Sequence, residues 1–395
     1  MTTVHAAAGR WAWAEIDLDA IEHNVRVLRE ASAPAGVWAV VKADGYGHGA
    51  VAVAEAAVRA GAAGLCVALV AEGVALRVAG LDAPILVLSE QPVSQIDDML
   101  THRLTPTVYT PGFVQALGAR AAARNTVVAA HVKLDTGMQR VGARSDDLAA
   151  LVRALGESSV PVQGVFTHLA SADEPGAAAN ALQLDRFDRA LAELRRAGID
   201  PEVQHAANSA GALGLPGARR SFVRCGIAMY GISPGPGVDH LCGDLRPAMT
   251  LAARVSYVKR VDPGSSISYG GRHRFDRATT VATVPVGYAD GVPRRLGTLP
   301  DRSGAEVLIG DRRHPIVGVV TMDQLMVDVG DDDVSVGDEV VLIGARGPDR
   351  IRAEHWAERL GTIGYEVVCG ITARVPRIEV GVHVEPPVRT RREPS

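Results

Sequence analysis

The chain has 395 residues, a net charge of −4 and acidic and basic side chains mixed along its whole length. This balance argues against a nucleic-acid-binding or anionic-membrane-binding surface. Hydrophobic residues make up 47% of the sequence but aromatic residues only 4%, so the sequence predicts a large core packed mainly with Ala, Val and Leu, in two domains or in one barrel with a smaller module.

No segment of the sequence predicts export or membrane insertion. Residues 1–6 lack the basic start and apolar stretch of a signal peptide, and no uncharged apolar run reaches about 18 residues. The four cysteines are far apart and form no C-x-x-C pair, which predicts free thiols rather than disulfides or a zinc framework. We therefore expect a cytoplasmic protein with no bound metal.

The first half of the chain alternates short apolar segments with helical patterns. Residues 11–18 alternate like a strand, and Asp19 is a candidate N-cap for a helix that ends near residue 30. Eight strand-like segments follow, at 37–41, 65–69, 85–88, 104–108, 127–134, 162–167, 203–205 and 222–224. Helical patterns separate them, at 50–60, 72–79, 93–100, 113–123, 146–155, 177–197 and briefly after residue 209. This rhythm predicts an α/β fold, a (β/α)8 TIM-like barrel over residues 11–240. A doubly wound sheet would need a break or an edge that the pattern lacks.

The second half of the chain changes period. Glycine and proline dominate residues 231–237, after which the hydrophobic period becomes two. We expect a mostly-β domain over residues 241–384, with which the strand at 11–18 is free to pack, and a disordered polar tail at 385–395. One helix is predicted at 352–360, among strands at 249–261, 279–286, 306–309, 316–320, 325–329, 339–343 and 375–380.

The first barrel strand ends in a lysine, followed by the glycine-rich turn Lys42-Ala43-Asp44-Gly45-Tyr46-Gly47-His48-Gly49. A lysine at the mouth of a buried strand is poorly solvated, which lowers its pKa and favours Schiff-base chemistry, with Tyr46 as a nearby polar clamp. The glycine spacing fits neither a P-loop, where the lysine follows the glycines, nor a Rossmann fingerprint. An ordinary strand-to-turn connection without a catalytic role is the alternative interpretation of this stretch.

Polar residues also follow the later barrel strands. Functional groups of barrels collect at the carboxyl ends of the strands, and the loops after strands seven and eight often bind phosphate. A reactive lysine facing a phosphate cradle is the arrangement that pyridoxal phosphate requires. Each residue has a structural alternative when taken singly, so their joint occurrence carries the hypothesis. The residues are Lys133, Arg140, His168, Asn208, Ser209, Arg224, Gly226 and Ile227, the last two as donors of exposed backbone amides.

With these motifs the sequence resembles the alanine racemases, the fold-type III pyridoxal-phosphate enzymes. The match is ungapped over the lysine motif and continues in family order through both domains. The further matching motifs are Lys133-Leu134-Asp135-Thr136-Gly137-Met138-x-Arg140, Thr167-His168, Asn208-Ser209, Arg224-x-Gly226-Ile227-x-x-Tyr230-Gly231, Ser268-Tyr269-Gly270, Gly287-Tyr288-Ala289-Asp290-Gly291, Met322-Asp323-Gln324 and Gly364-Tyr365-Glu366.

The resemblance implies a role for each matching residue. Lys42 is expected to bind pyridoxal 5′-phosphate as a Schiff base and to act as one catalytic base, and Tyr269 as the second base on the opposite face of the substrate. Racemisation removes a Cα proton from one face and returns it to the other, which suits two bases. Arg224 is expected to face the pyridine nitrogen, where a permanent cation disfavours ring protonation, and its chain with His168 to help Tyr269 ionise.

The resemblance also implies the remaining contacts. Arg140 is expected to steer the substrate carboxylate and Lys133 to be carbamylated, which would fix that arginine. Met322 and Asp323, supported by Tyr288, are expected to reach the active site of the other subunit in a head-to-tail homodimer with shared active sites. The expected cofactor contacts are Tyr46, His168, Asn208, Ser209, Arg224, Gly226, Ile227 and Tyr365.

The expected activity is the interconversion of L-alanine and D-alanine, with D-alanine supplied for the peptidoglycan of the cell wall. Gln139 stands where the family usually has glycine, and Thr321 where cysteine or serine is common, so pocket size and inhibitor response are open. A racemase of another small amino acid such as serine is the nearest alternative. A fold-type III decarboxylase is disfavoured by Arg224 and Tyr269, and a non-catalytic pyridoxal-phosphate-binding protein by the second domain.

Overall fold

A computed structural model describes residues 9–381 of the chain, in twenty strands and eleven α-helices. In chain order the strands are β1 (Ala12–Asp17), β2 (Gly36–Val40), β3 (Gly64–Val67), β4 (Ile85–Val87), β5 (Thr107–Val108), β6 (Ala130–Lys133), β7 (Val162–Phe166), β8 (Val203–His205), β9 (Phe222–Cys225), β10 (Met249–Arg254), β11 (Tyr257–Val261), β12 (Ser266–Ile267), β13 (His273–Arg274), β14 (Thr279–Val284), β15 (Glu306–Ile309), β16 (Arg312–Val317), β17 (Leu325–Gly330), β18 (Glu339–Arg346), β19 (Asp349–Ile351) and β20 (Arg377–Val380). The helices are α1 (Leu18–Ser32), α2 (Lys42–Tyr46), α3 (Ala50–Arg59), α4 (Val70–Val78), α5 (Ile96–Thr101), α6 (Pro111–Ala123), α7 (Leu148–Glu157), α8 (Ala178–Arg196), α9 (Ser209–Gly214), α10 (Ala353–Leu360) and α11 (Gly364–Cys369).

Strands β2 to β9 form a closed parallel barrel. Two parallel sheets, in the orders β4-β3-β2-β9 and β5-β6-β7-β8, supply its wall. A parallel bridge between Leu86 and Thr105 joins β4 to β5. Between β8 and β9 the Arg224 amide donates to the Ala207 carbonyl at 3.0 Å. The predicted eight-stranded α/β barrel is therefore confirmed.

The second half of the chain forms a large sheet in which β1 also takes part. The sheet has the order β11-β14-β17-β16-β15-β18-β10-β1-β20, with β19 attached to β18. Strand β1 pairs antiparallel with β10 and parallel with β20. The described part of the chain therefore begins in the β sheet, crosses into the barrel through α1 and returns to the sheet after β9. The mostly-β character predicted for this half is confirmed.

Several predicted boundaries differ from the structure. Asp17, not Asp19, caps α1, because its carboxylate accepts the Ala20 amide at 2.9 Å directly after β1 ends. The strand predicted at 249–261 breaks in two, since the Val255 amide donates to the Asp338 carbonyl, just before β18, and the Ser256 amide to the Thr283 carbonyl in β14. Apolar periodicity does not reveal which partner strand each amide meets.

The helices and strands near the end of the chain also differ from the prediction. Helix α11 was missed because it has six residues and begins at a glycine, too short for a helical period. The strand predicted at 316–320 is β16, which starts earlier at Arg312 and ends before Gly318, whose φ of 69° turns the chain. The predicted tail at 385–395 lies outside the described residues. None of the described helices has both the length and the hydrophobicity needed to cross a bilayer.

Candidate active site

A cavity of about 580 Å³ lies at the carboxyl ends of the barrel strands. It brings together the barrel residues predicted from sequence and adds Tyr365 from α11. The predicted residues in its lining are Lys42, Tyr46, Lys133, Arg140, His168, Asn208, Ser209, Arg224, Gly226, Ile227 and Tyr365. Lining residues that the sequence did not single out are Val40, Ala68, Leu88, Ser89, Phe166, Ile363, Glu366 and Cys369.

Lys42 opens an unusual turn. The four residues after it, Ala43 to Tyr46, have φ values of 53°, 52°, 60° and 53°, so the backbone winds left-handed for a full turn. Each non-glycine residue in this conformation costs on the order of 1–2 kcal/mol. Glu72 offsets part of that cost, because its Oε1 accepts the Ala43 amide at 2.7 Å, and Asp44 accepts the Ala50 amide at 2.9 Å. The turn therefore has side-chain anchors at both ends.

The two cavity lysines are both easier to deprotonate than an exposed lysine. Burial lowers the pKa of Lys42, and the Arg140 guanidinium lowers it further. Burial, with Arg224 and Arg140 nearby, lowers the pKa of Lys133 to about 8. The Lys133 Nζ also lies 5.6 Å from the centroid of the Phe166 ring. Burial therefore favours the neutral, nucleophilic form of both amines relative to an exposed lysine.

Arg224 is buried, and it donates its hydrogen bonds to uncharged groups, two histidine rings and backbone carbonyls. Its guanidinium bonds to the His205 Nδ1 at 2.6 Å and the His168 Nδ1 at 3.3 Å, and donates to the Thr167 carbonyl at 2.8 Å. A guanidinium can only donate, so both histidine nitrogens must accept. Burial together with Arg224 holds the pKa values of His168 and His205 well below the ordinary range. Both rings are therefore neutral, with the proton on Nε2.

A third histidine, His131, extends this chain of hydrogen bonds. The His205 Nε2 lies 3.0 Å from the His131 Nδ1. Because the His205 Nε2 carries a proton, His131 accepts through Nδ1 and is also neutral, and burial lowers its pKa to about 4. The sequence showed both histidines at strand ends but gave no signal that separated them from ordinary barrel-filling residues.

The loops after β8 and β9 meet beside Tyr46 in the cavity. The Ser209 Oγ accepts the Gly226 amide at 2.9 Å, and Asn208 caps α9 by accepting the Gly211 amide at 3.0 Å. The prediction that Gly226 offers an exposed amide is therefore wrong, since that N–H is used within the chain. A Cβ on Gly226 would lie 2.5 Å from the Tyr46 hydroxyl, so only glycine fits at this position.

The tyrosines at this end remain protonated donors. Burial is the main cause that raises the pKa values of Tyr46 and Tyr365, and their rings lie 6.2 Å apart. Among residues 9–381 no group of three or more His, Cys, Asp or Glu side chains is arranged to hold a metal ion.

Of the β-domain residues predicted for the site, Tyr365 lines this cavity, whereas Tyr269, Tyr288, Met322 and Asp323 do not. Tyr269, Tyr288 and Met322 are 70%, 42% and 52% exposed. Asp323 pairs with Arg374 at 2.7 Å. Before Tyr269, Ser268 has a φ of 64° and its hydroxyl donates to the Val319 carbonyl at 2.6 Å. Within one chain, therefore, Tyr269 and Lys42 are not brought together.

Comparison with known proteins places both halves of the chain in one group. Residues 16–234 match the family described as alanine racemase, N-terminal domain, and residues 248–379 match alanine racemase, C-terminal domain. The alanine racemase of Symbiobacterium thermophilum is 49% identical over 374 residues, covering 94% of this chain and 98% of that protein.

Solved structures match over the same length. The crystal structure of the alanine racemase of D-cycloserine-producing Streptomyces lavendulae superposes with a TM-score of 0.90 at 40% identity, covering 94% of this chain and 98% of that one. The histidine racemase of Leuconostoc mesenteroides superposes with a TM-score of 0.86 at 28% identity, covering 94% and 98%.

Proposed function

The chain belongs to the alanine racemase family, and on that premise we propose that it interconverts L-alanine and D-alanine with pyridoxal 5′-phosphate as its cofactor. It is an isomerase. The observation that carries the proposal is the cavity itself, in which a half-buried lysine of lowered pKa is accompanied by cationic side chains and hydroxyl groups. We further propose that residues 11–240 bind the cofactor and that residues 241–384 complete the site.

The residues of the cavity fit a phosphorylated aldehyde. Lys42, Lys133, Arg140 and Arg224 line it, and Glu366 supplies its single carboxylate among the described lining residues. This excess of positive charge, buried at Lys133 and Arg224, half-buried at Lys42 and exposed at Arg140, favours an anionic ligand. The hydroxyls of Tyr46, Ser209 and Tyr365, the Ile227 amide and the Asn208 side chain would hold the phosphate. Because residue 226 is glycine, no Cβ crowds the Tyr46 hydroxyl, and the proposed phosphate position stays open.

The cofactor, when bound, supplies an electron sink that makes the Cα proton of the attached amino acid removable. Lys42 would first hold the cofactor aldehyde. When it is not bonded to the cofactor, the Lys42 amine would act as a base, and burial lowers its pKa. In the D-to-L direction the Lys42 Nζ accepts the Cα proton from one face, and Tyr269 returns a proton to the other.

Tyr269 would come from a second copy of the chain. Its exposure and its distance in the fold from the cavity support a head-to-tail homodimer in which the β domain of each copy completes the other's site. Tyr288, Met322 and Asp323 would enter with it. In the L-to-D direction a Tyr269 phenolate accepts the Cα proton and the Lys42 ammonium supplies one to the opposite face, so the pair exchanges roles.

Arg224 would address the pyridine nitrogen of the cofactor. Its charge is fixed, since even in burial its pKa is about 10, and its histidine partners are neutral acceptors. A permanent cation there disfavours protonation of the ring and limits side reactions. The bond from Arg224 to the His168 Nδ1 leaves the His168 proton on Nε2, which would donate a hydrogen bond towards the Tyr269 oxygen.

Arg140 would bind the substrate carboxylate. Lys133 has the lowered pKa that carbamylation requires, because only the neutral amine reacts with CO2. The resulting anion would fix Arg140 and reduce the cationic excess. We also propose a cytoplasmic location, which the free thiols Cys66, Cys225, Cys242 and Cys369 support, and D-alanine for cell-wall peptidoglycan as the use of the product.

A chiral assay over alanine, serine and histidine tests the proposed substrate. The purified holoenzyme should racemise alanine with the highest kcat/KM, and histidine is included because the same fold carries a histidine racemase in Leuconostoc mesenteroides. Borohydride should attach the cofactor to Lys42. A preference for serine or histidine would overturn the substrate, whereas an unmodified Lys42 peptide would overturn the role of the lysine.

A further inference from the structure

Asp290 is a fully buried carboxylate that does not line the cavity. Its Oδ2 is paired with the Arg10 guanidinium at 2.7 Å and accepts the Gly287 amide at 3.0 Å. Its Oδ1 lies 3.3 Å from the Arg374 Nε. A buried carboxylate with two arginine partners fixes whatever backbone it belongs to, because separating the charges inside the protein is costly.

The backbone that Asp290 fixes belongs to two loops, residues 287–291 and 321–324. The Tyr288 amide donates to the Thr321 carbonyl and the Ala289 amide to the Met322 carbonyl, both at 3.0 Å. The loops approach so closely that a Cβ on Gly287 would lie 2.3 Å from the Thr321 oxygen. They therefore form one unit, and this unit presents the exposed side chains of Tyr288 and Met322.

Arg374 ties that unit to the end of α11. Its Nη2 donates to Asp323 at 2.7 Å, directly after Met322. The Thr372 amide donates to the Asp290 carbonyl at 3.1 Å, and the Thr372 hydroxyl donates to the Ala289 carbonyl at 2.9 Å. Helix α11 carries Tyr365 and Cys369 into the cavity of the same chain. Asp290 thus connects the loops that carry Tyr288 and Met322 to the segment that follows α11.

We propose that Asp290 and Arg374 are positioning residues that act in trans: they set the loops carrying Tyr288 and Met322 against the active site of a second copy of the chain. The inference rests on the head-to-tail dimer of the proposed function. It also connects the two sites, because the Asp290–Arg374 pair fixes these loops relative to α11, which lines the chain's own cavity. Neither residue contacts the reacting atoms in this arrangement.

Pure mixed dimers, made by co-expressing two differently tagged chains, test the inference. Arg374→Gln homodimers should lose kcat/KM by about 10- to 100-fold, because small misplacements of active-site groups have effects of that size. In a dimer of Arg374→Gln with Lys42→Ala, one site combines an intact lysine with intact loops. That dimer should recover about half of the wild-type activity, one site of two. Asp290→Asn paired with Lys42→Ala should behave in the same way.

Two controls keep the outcomes separate. A dimer of Tyr269→Phe with Lys42→Ala tests the shared site itself, and its failure to recover would overturn the head-to-tail arrangement of the proposed function. The second outcome concerns Arg374 itself. Suppose that the Tyr269→Phe and Lys42→Ala dimer recovers activity, but the dimer of Arg374→Gln with Lys42→Ala is no more active than the Arg374→Gln homodimer. Arg374 then acts within its own chain and the inference is wrong. Arg312→Gln removes another exposed β-domain ion pair, with Asp332 at 2.5 Å, and should leave activity unchanged.

Discussion

The barrel cavity and the exposed loops of the β domain are built in opposite ways. In the cavity, Lys133 and Arg224 are buried and Lys42 is half-buried, and burial lowers the pKa values of all three. In the β domain, Tyr269 and Met322 are more than half exposed, and it is the backbone beneath them that is fixed. One chain can shift the pKa values of its own buried groups. Exposed side chains such as Tyr269 and Met322 would be desolvated only by a second surface, as in the proposed dimer.

The largest expected effect on activity comes from a substitution in the barrel cavity. Lys42→Ala removes both the cofactor anchor and one base, so racemisation in both directions should fall by at least about 10³-fold. Chiral chromatography of the products measures this. Lys259→Ala, at an exposed strand position, is the matched control and should keep full activity. Residual activity above a few per cent would show that the cavity does not depend on its lysine.

Tyr269→Phe changes the exposed β-domain surface instead. Its effect should differ between the L-to-D and D-to-L directions of racemisation. Removal of the phenol should slow deprotonation of L-alanine by about 10²–10³-fold and that of D-alanine by less. Uptake of deuterium at Cα in heavy water measures each direction separately. Tyr257→Phe, another exposed tyrosine of the same domain, should have no effect. Equal losses in both directions would count against a base on each face.

The proposed carbamylation of Lys133, a buried residue of the cavity, should depend on pH. With a pKa of about 8, the neutral amine fraction rises as pH increases through 8, whereas an exposed lysine remains charged there. Isotope-labelled bicarbonate should therefore give a carbamate signal at Lys133 at pH 8 that weakens towards pH 6. Lys133→Met should lose the signal and several-fold activity. A signal that strengthens on acidification would contradict the lowered pKa.

The smallest effect is expected where the two halves are joined. Asp17 ends β1 in the sheet and caps α1 on the barrel, accepting the Ala20 amide at 2.9 Å. Asp17→Ala should lower the free energy of unfolding by about 1 kcal/mol, measured by urea denaturation, with kcat unchanged. Asp19→Ala, at the cap expected from the sequence, is the paired variant. A larger loss for Asp19→Ala would mean that the wrong residue has been identified as the cap.

Local sequence patterns predicted the barrel, but they missed several element boundaries in the β domain. Strand periods and the turn after Lys42 are set by residues close in sequence, and the eight strands were found within a few residues of their ends. Helix α11 was missed because its six residues are stabilised by tertiary packing rather than by a period of their own. The break at Val255 was missed because it depends on distant carbonyls.

For the site, residue identity determined the most. Lys42, Lys133, His168, Ser209 and Arg224 stand at strand ends, and the rule that barrel sites collect there sufficed to group them. Hydrogen-bond direction could not be predicted in this way. That the Gly226 amide is used by Ser209, and that Arg224 holds His205 and His131 neutral, depend on atoms from strands far apart in sequence.

The sequence by itself determined the two-part architecture, the reactive lysine and the set of groups around it, because periodicity and motif spacing are local properties. Only the tertiary structure decided which of those groups meet. It placed Lys42 in a left-handed turn anchored by Glu72, and it left Tyr269 on an exposed surface tied through its neighbour to Val319. Burial, charge proximity and the direction of each hydrogen bond arise when distant segments pack, and these decide what the lysine can do.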